Sequence, residues 1–148
     1  MTTVQRDAVD RARLAGRLRL AVTRLSRRLR QQGESGLSPS AFSALATISR
    51  HGPLSLGELA AHEGVKPPSI TATVAALEGQ ELVTRAADQA DRRVSRVAVT
   101  PRGRLRLMRS RTRKTAYLAA RLAGLDDRQL VVLDEAAGIL ERLLEEDR

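Results

Sequence analysis

The sequence predicts a mainly α-helical domain that carries one small β-ribbon. Apolar residues recur at helical spacing near both ends of the chain, and two shorter helical patterns lie in its middle. Alternating apolar and polar residues follow these patterns at about positions 82–100. The length of 148 residues fits one domain, and 42% apolar residues suffice for a core made mostly of Leu, Val and Ala. We therefore expect a single domain over residues 1–148.

The first predicted helix covers residues 7–32. Its apolar residues fall at i, i+4, i+7 and i+11, which places them on one face, and they are Leu18, Val22, Leu25 and Leu29. The Gly-Glu-Ser-Gly segment at 33–36 ends this helix. Ser38 and Pro39 are typical of a helix start, so a second helix is expected from there to His51.

A short third helix is predicted over residues 56–63. Ser55 and Glu58 have the spacing of a capping box, in which the hydroxyl accepts from one backbone amide while the carboxylate reaches back to another. Leu59 and Ala60 are expected to face inward.

A fourth helix follows a tight turn at Gly64 and Val65. The adjacent prolines at 67 and 68 fit only at a helix start, because proline has no backbone N–H to donate. The helix is expected to run to about Glu78, and its inward face carries Ile70, Val74 and Leu77.

The ribbon comes next. Residues 82–85 form its first strand, 86–91 a polar loop, and 94–100 its second strand, while 54–55 are a candidate short third strand. Thr100 and Pro101 then cap another helix. Helix, tight turn, helix and hairpin in this order predict a winged helix-turn-helix over residues 38–100.

Two further helices complete the chain. The first runs from Pro101 to about Ala123, and its expected inward residues are Leu105, Met108 and Thr112. The second follows Gly124, and it carries two adjacent apolar stripes over residues 130–144. So wide an apolar arc must bury more than one side.

We expect a second copy of the chain to cover this arc, through dimerisation helices at 7–36 and 101–148. The alternative is packing of the last helix against the first helix of the same chain. The residues expected at the dimer interface are Leu18, Val22, Leu25, Leu130, Leu133, Leu140 and Leu144.

Positive charge is concentrated in particular segments. The net charge is +9, and residues 85–114 alone hold eleven basic and two acidic residues, a net of +9, whereas 126–148 have a net charge of −5. A polyanion such as nucleic acid is the natural partner of such a surface. The alternative is a generally arginine-rich composition with no nucleic-acid partner.

These motifs resemble the MarR family of bacterial transcriptional regulators. The most specific part is Asp-x-Arg at 91–93 followed by Thr-x-x-Gly at 100–103. The resemblance covers residues 38–105 by motif, and also includes Leu59-Ala60, Gly64-Val65, Ser69-Ile70-Thr71, Leu77-Glu78, Leu82-Val83 and Arg85. It implies a dimer whose fourth helix enters the major groove, with Arg93 in the minor groove and Asp91 positioning the wing.

The fourth helix departs from the family. Arginines often occupy the family positions that Ala72 and Ala76 hold here, so no residue on the predicted outward face can contact guanine in a bidentate manner. Glu81 stands where the family usually has glycine. We expect phosphates, the wing and DNA shape to provide most of the affinity, with Lys66 and the free amides of the helix start holding a phosphate. The expected DNA contacts are Lys66, Pro68, Ser69, Thr71, Ala72, Arg85, Asp91, Arg92, Arg93 and Arg96.

Other classes of protein are disfavoured. The chain has no cysteine, which excludes disulfides and thiolate metal sites, and it has no catalytic motif, so we expect no enzyme and no cofactor. Glu58 and His62 lie one helical turn apart, but zinc needs further ligands, so we expect no metal site. No apolar run is long enough for a membrane span and the charged N-terminus is not a secretory signal, so we expect a cytoplasmic protein.

Three functions remain open. The first is a dimeric, sequence-specific regulator that binds inverted repeats in double-stranded DNA, a repressor relieved by a small anionic or aromatic ligand, as the resemblance implies. The second is an architectural protein of low specificity that reads DNA shape. The third is a regulator that acts mainly through a protein partner.

Overall fold

A computed structural model describes residues 10–33 and 36–145 of the chain. The predicted start of the first helix at 7–9, positions 34–35 of its predicted end, and residues 146–148 lie outside the described residues.

The described residues form a mainly α-helical fold with a small antiparallel sheet, which confirms the predicted fold class. In chain order the elements are α1 (Arg11–Gly33), α2 (Pro39–His51), β1 (Leu54–Ser55), α3 (Leu56–Glu63), α4 (Pro67–Gly79), β2 (Val83–Ala87), β3 (Ser95–Val99), α5 (Pro101–Leu122) and α6 (Asp127–Glu145). No helix in the described ranges is long and apolar enough to cross a membrane.

Three predicted helix starts are capped by side chains. Ser38 Oγ accepts from the amide of Ala41 at 3.2 Å. Ser55 and Glu58 complete the predicted capping box, because Ser55 Oγ accepts from the Glu58 amide at 3.2 Å and Glu58 Oε2 accepts from the Ser55 amide at 2.8 Å. Thr100 caps α5. These local contacts involve residues three apart in sequence, which is why the sequence alone predicted them.

The sheet has the strand order β1-β3-β2, and both pairs are antiparallel. The candidate strand at 54–55 is confirmed, because Leu54 pairs with Val97. The boundary between β2 and the loop was predicted wrongly. Ala86 and Ala87 belong to β2, where they pair with Arg96 and Ser95. Alanine is uncommon in strands, so pairing with β3 rather than local propensity sets this boundary.

The core lies within the helix-turn-helix and its sheet. The predicted inward residues of α3 and α4 are all buried. The largest fully buried side chains come from α2, α3, α4, the α4–β2 turn and β3, and they are Leu45, Ile48, Leu59, Val74, Leu77, Leu82 and Val97. Burial of the apolar stripe on α4 fixes the opposite face of that helix toward solvent.

The inward face of α5 differs from the prediction. Leu105 is 40% exposed and Met108 is 57% exposed, and Thr112 is also exposed, while Gly103, Leu107 and Ser110 are buried. The small residues allow α5 to lie close to its neighbours. A Cβ on Gly33 of α1 would lie 2.4 Å from Ser110 Oγ, so α1 and α5 meet through glycine and serine. An apolar pattern in the sequence therefore does not predict this crossing.

The end of α4 places a glutamate in a left-handed conformation. Glu81 has φ 60, although glycine is the residue that adopts this conformation without steric cost. The Leu82 amide donates to Leu77 O at 3.0 Å and the Glu81 amide donates to Glu78 O at 2.9 Å. This pair of bonds is a Schellman motif, in which glycine is the common residue at the left-handed position.

The start of α5 packs against that same turn. Thr100 Oγ1 donates to Glu81 O at 2.7 Å and accepts from the Gly103 amide at 3.0 Å. The Thr100 amide donates to Leu82 O at 3.0 Å. A Cβ on Gly103 would lie only 2.2 Å from Leu82 O. The backbones therefore approach each other as closely as glycine permits.

We expect Gly103→Ala to destabilise the fold by about 1–3 kcal/mol, because the new methyl group overlaps a backbone carbonyl that cannot rotate away. Urea unfolding at fixed chain concentration measures the loss. Gly57→Ala is the matched control, since a Cβ at Gly57 in α3 meets nothing within 4 Å. That control should be neutral or stabilising by up to about 1 kcal/mol. Equal stability of the Gly103→Ala and wild-type chains would contradict the close contact.

Candidate nucleic-acid interface

The outward face of α4 is small and uncharged. Because Ile70, Val74 and Leu77 are buried, the opposite side carries exposed Pro68, Ser69, Thr71 and Ala72, as predicted, together with Ala75 and Ala76. The Thr71 hydroxyl donates to Pro67 O at 3.0 Å, so its oxygen is oriented as an acceptor. This face offers hydroxyl groups and methyl-sized apolar surface, with no side chain able to grip guanine with two hydrogen bonds.

The first turn of α4 does not offer the free amides that were expected beside Lys66. Pro67 and Pro68 have no N–H, and the amides of Ser69 and Ile70 donate to Lys66 O at 3.1 and 3.4 Å. The expectation of an amide cradle for phosphate is therefore wrong for residues 67–70. The two prolines were the available signal, because each removes a donor. Lys66 itself is exposed and stays a predicted phosphate contact.

The wing is the loop 88–94 between β2 and β3. Asp88 Oδ1 accepts from the amides of Ala90 at 2.8 Å and Asp91 at 3.1 Å. The Asp88 amide donates to Val94 O at 2.8 Å, and the Val94 amide donates to Asp91 O at 2.9 Å. An aspartate that accepts from the next amides is a common way to hold a turn. The sequence prediction did not single out Asp88. Its place at the start of the polar loop was the available signal, because aspartate there commonly accepts from the amides two and three residues later.

Asp91 holds Arg93 at the surface of the wing. Its carboxylate accepts from Arg93 Nε at 3.1 Å and Nη2 at 3.3 Å, and also from the Arg93 amide at 3.0 Å. The Arg93 guanidinium lowers the pKa of Asp91. The Arg93 side chain is nevertheless 91% exposed. Arg92 is exposed beside it. Two guanidinium groups are thus presented to solvent, one of them oriented by an aspartate.

The other two predicted arginines pair with carboxylates of the same chain. Arg85 Nε donates to Glu78 Oε2 at 2.9 Å, which ties β2 to the end of α4. Arg96 on β3 bonds to Asp88 in the wing and donates through Nη1 to Glu58 Oε2 at 3.0 Å. The sequence predicted these arginines as DNA contacts together with Arg92 and Arg93, because their partners on other elements are not visible in a linear pattern.

The two histidines lie against each other. The rings of His51 and His62 stack with centroids 4.3 Å apart and planes 24° apart. Within the described part of the chain, no group of three or more His, Asp or Glu side chains is arranged to hold a metal ion. The geometry is that of a ring contact between the ends of α2 and α3.

The terminal helices expose apolar side chains. No residue of α6 is buried, so the described part of the chain leaves its apolar stripes largely exposed. Leu140 is half-buried. The exposed fractions of the other residues predicted at a dimer interface are Leu18 39%, Val22 50%, Leu25 41%, Leu130 37%, Leu133 47% and Leu144 73%.

A cleft lies where α1 meets the start of α2. Its volume is about 340 Å³, and it is lined by Arg27, Arg30, Gln31, Leu37, Pro39 and Phe42. Lys114 of α5 places its Nζ 4.1 Å from the centre of the Phe42 ring. Cationic and aromatic groups therefore surround a space large enough for a small molecule.

Known transcriptional regulators are similar in sequence to this chain over nearly its whole length. The MarR family profile matches residues 37–95. A helix-turn-helix transcriptional regulator of Mycobacterium bovis, itself uncharacterised, is 39% identical over 136 residues, which are 91% of this chain and 95% of that protein. The transcriptional repressor MdtR of Bacillus subtilis is 28% identical over 115 residues, 78% of this chain and 72% of MdtR.

Solved structures have the same fold. A candidate transcriptional regulator from Pseudomonas aeruginosa superposes with a TM-score of 0.82 at 30% identity, covering 93% of this chain and 99% of that one. FabT of Streptococcus pneumoniae, solved in complex with DNA, has a TM-score of 0.67 at 18% identity and covers 94% of this chain and 100% of FabT. The latter likeness concerns the fold alone.

The bonds of Asp88 predict an acid-sensitive wing. The Arg96 guanidinium and the amides of Asp91 and Ala90 lower the pKa of Asp88 to about 2. Because the folded value lies below the unfolded value of about 3.9, the stabilisation is complete above about pH 5 and is lost as the pH falls through about 2.

The wild type should therefore have a higher free energy of unfolding than Asp88→Asn. The difference should be constant above about pH 5 and should shrink between about pH 4 and pH 2. Chemical unfolding across this range measures it, and Asp127→Asn in the first turn of α6 controls for general acid effects. A difference between wild type and Asp88→Asn that grows on acidification would contradict the assignment.

Proposed function

Because this chain belongs to the MarR family of transcriptional regulators, we propose that it is a homodimeric repressor that binds an inverted repeat in double-stranded DNA. A small anionic or aromatic ligand releases it from that DNA. We expect it to act in the cytoplasm.

The observation that carries the proposal is the combination of an exposed α4 and an exposed wing on one module. The exposed Arg92 and Arg93 stand on a loop that Asp88 and Asp91 hold in shape. A guanidinium on such a loop can enter a narrow minor groove, where the negative potential is enhanced. Since α4 offers no charged side chain between Pro67 and Leu77, the wing must supply a larger share of the affinity.

Dimerisation is supported by what the fold leaves uncovered. α6 exposes Leu133 at 47% and Ile139 at 51%, and α1 exposes Val22 at 50%. Monomeric proteins rarely leave so long an apolar stripe in contact with water. A second copy related by a two-fold axis would cover it and would place two wings and two α4 helices on one duplex.

Ligand release is supported by the cleft between α1 and α2. Arg27 and Arg30 offer charge to an anion, and Phe42 offers a ring face to an aromatic group. The cleft is lined by α1 and by the start of α2, so an occupant would touch both a terminal helix and the DNA-binding module.

The second candidate function is an architectural DNA-binding protein of low specificity. The uncharged outward face of α4 favours it, because specific regulators commonly read guanine through arginine or lysine. Competition separates the two functions. A regulator retains one duplex in the presence of excess random DNA, whereas an architectural protein loses it.

Footprinting tests the proposed dimer on DNA selected from a random pool by the wild-type chain. We expect two half-sites about one helical turn, roughly 10 base pairs, apart. Leu133→Asp with Leu140→Asp should give monomers by light scattering and abolish the footprint. Arg142→Asp also changes the charge by −2 on α6 and should leave both intact. A single asymmetric half-site, or a stable wild-type monomer at micromolar concentration, would contradict the dimer.

The wing variants separate two accounts of binding, because the accounts predict opposite signs for Asp91→Ala. Arg93→Ala should weaken specific binding by about 5- to 150-fold and lower the salt slope by about one counterion, with a smaller loss for Arg92→Ala. Asp91→Ala should also weaken binding, because Asp91 orients Arg93.

Bulk attraction predicts the reverse for Asp91→Ala, since the substitution removes a negative charge beside the DNA. Fluorescence anisotropy at several salt concentrations distinguishes the two accounts. Tighter binding by Asp91→Ala, with the dimer intact, would show that Asp91 does not position the wing.

A further inference from the structure

Arg96 lies on β3, the middle strand of the sheet, and bonds to both the wing and α3, which are far apart in the sequence. Its Nε bonds to the carboxylate of Asp88, its Nη1 donates to Glu58 Oε2 at 3.0 Å, and the same Nη1 lies 3.5 Å from Pro53 O. The Arg96 side chain is 36% exposed, and that of Asp88 only 16%. Two carboxylates already neutralise this guanidinium.

Each carboxylate that binds Arg96 also organises backbone. Asp88 accepts from the amides of Ala90 and Asp91, so it shapes the wing turn that carries Arg93. Glu58 accepts from the Ser55 amide as part of the capping box of α3. The Arg96 guanidinium therefore connects the wing turn to α3, the first helix of the helix-turn-helix.

We propose that Arg96 is a positioning residue that holds the wing against α3 and so sets where Arg93 meets DNA, rather than a residue that contacts DNA itself. This inference rests on the proposed DNA-binding function. It gives Arg96 a role different from the one that its charge alone suggested.

The chemistry of the site requires arginine. A guanidinium is planar and presents donors in two directions, whereas a lysine ammonium is a single point on a flexible stem. Lysine in place of Arg96 could still bind a phosphate, but it could not reach Asp88 and Glu58 in the same geometry. Arg96→Lys therefore separates positioning from direct contact.

The first readout needs no DNA. Hydrogen exchange of the Ala90 and Asp91 amides reports whether the wing turn stays closed. Arg96→Gln and Arg96→Lys should each accelerate this exchange by about fivefold, since they remove ion pairs that are only partly shielded from solvent. Core amides of α2 and the unfolding midpoint serve as controls for global destabilisation. Unchanged wing exchange in both variants would overturn the proposal.

The second readout is a double-mutant cycle on a duplex selected from a random pool by the wild-type chain. If loss of the bonds from Arg96 to Asp88 and Glu58 leaves the wing in its DNA-binding orientation about a tenth of the time, Arg96→Gln and Arg96→Lys each weaken binding about tenfold. In an Arg93→Ala background, Arg96→Gln should cause almost no further loss, because it acts through Arg93. Asp88→Asn should weaken binding like Arg96→Gln and not add to it.

The alternatives give different results. If Arg96 contacts phosphate directly, Arg96→Lys keeps wild-type affinity and the losses from Arg93→Ala and Arg96→Gln multiply, which would overturn the proposal. A wild-type chain that selects no duplex would reject the proposed function, while the amide exchange still decides whether Arg96 holds the wing.

Discussion

The contact between Gly103 and the Leu82 carbonyl joins the two halves of the molecule. A side chain at Gly103 would overlap that carbonyl, and Thr100 bonds to the same turn through both its amide and its hydroxyl. The end of α4, the base of the sheet and the start of α5 are therefore fixed to one another. Because α5 packs against α1 and leads through a short turn to α6, the spacing of two modules in the proposed dimer would follow from this junction.

The division of labour between α4 and the wing follows from packing. Burial of Ile70, Val74 and Leu77 turns a face of small residues outward, and the prolines at the start of α4 remove the donors that would bind a phosphate. The wing carries the exposed positive charge that the outward face of α4 lacks. Its charges are arranged in two layers, since Arg96 and Asp88 shape the loop while Arg93 is 91% exposed at its surface. A helix with an uncharged outward face thus accompanies a wing whose turn is held by Asp88.

Most of the fold could be predicted because its signals are local. Caps at Ser38, Ser55 and Thr100 depend on residues three apart, and the apolar stripe of α4 has a helical period. The errors concern contacts between distant parts of the chain. Ala86 and Ala87 are strand residues only because β3 pairs with them, and α5 approaches α1 through Ser110 opposite Gly33, which carries no apolar pattern.

The candidate site was predictable to a similar depth. Residue type and motif identified the exposed arginines of the wing, but they did not separate these from Arg85 and Arg96, which pair with carboxylates on other elements. Arg96 and Glu58 are 38 positions apart, and Arg85 and Glu78 lie on different elements, so no local spacing reveals their bonds. The availability of a charge for a ligand depends on its partners in the fold.

Base analogues in the bound DNA test most directly the proposal that the wing reads the minor groove. An inosine·cytosine pair resembles G·C in the major groove but lacks the guanine amino group, so its minor groove resembles that of A·T. Replacing A·T pairs beneath the wing by inosine·cytosine should leave affinity nearly unchanged, whereas replacing them by G·C should weaken binding. Equal losses for the two replacements would contradict minor-groove reading by Arg93.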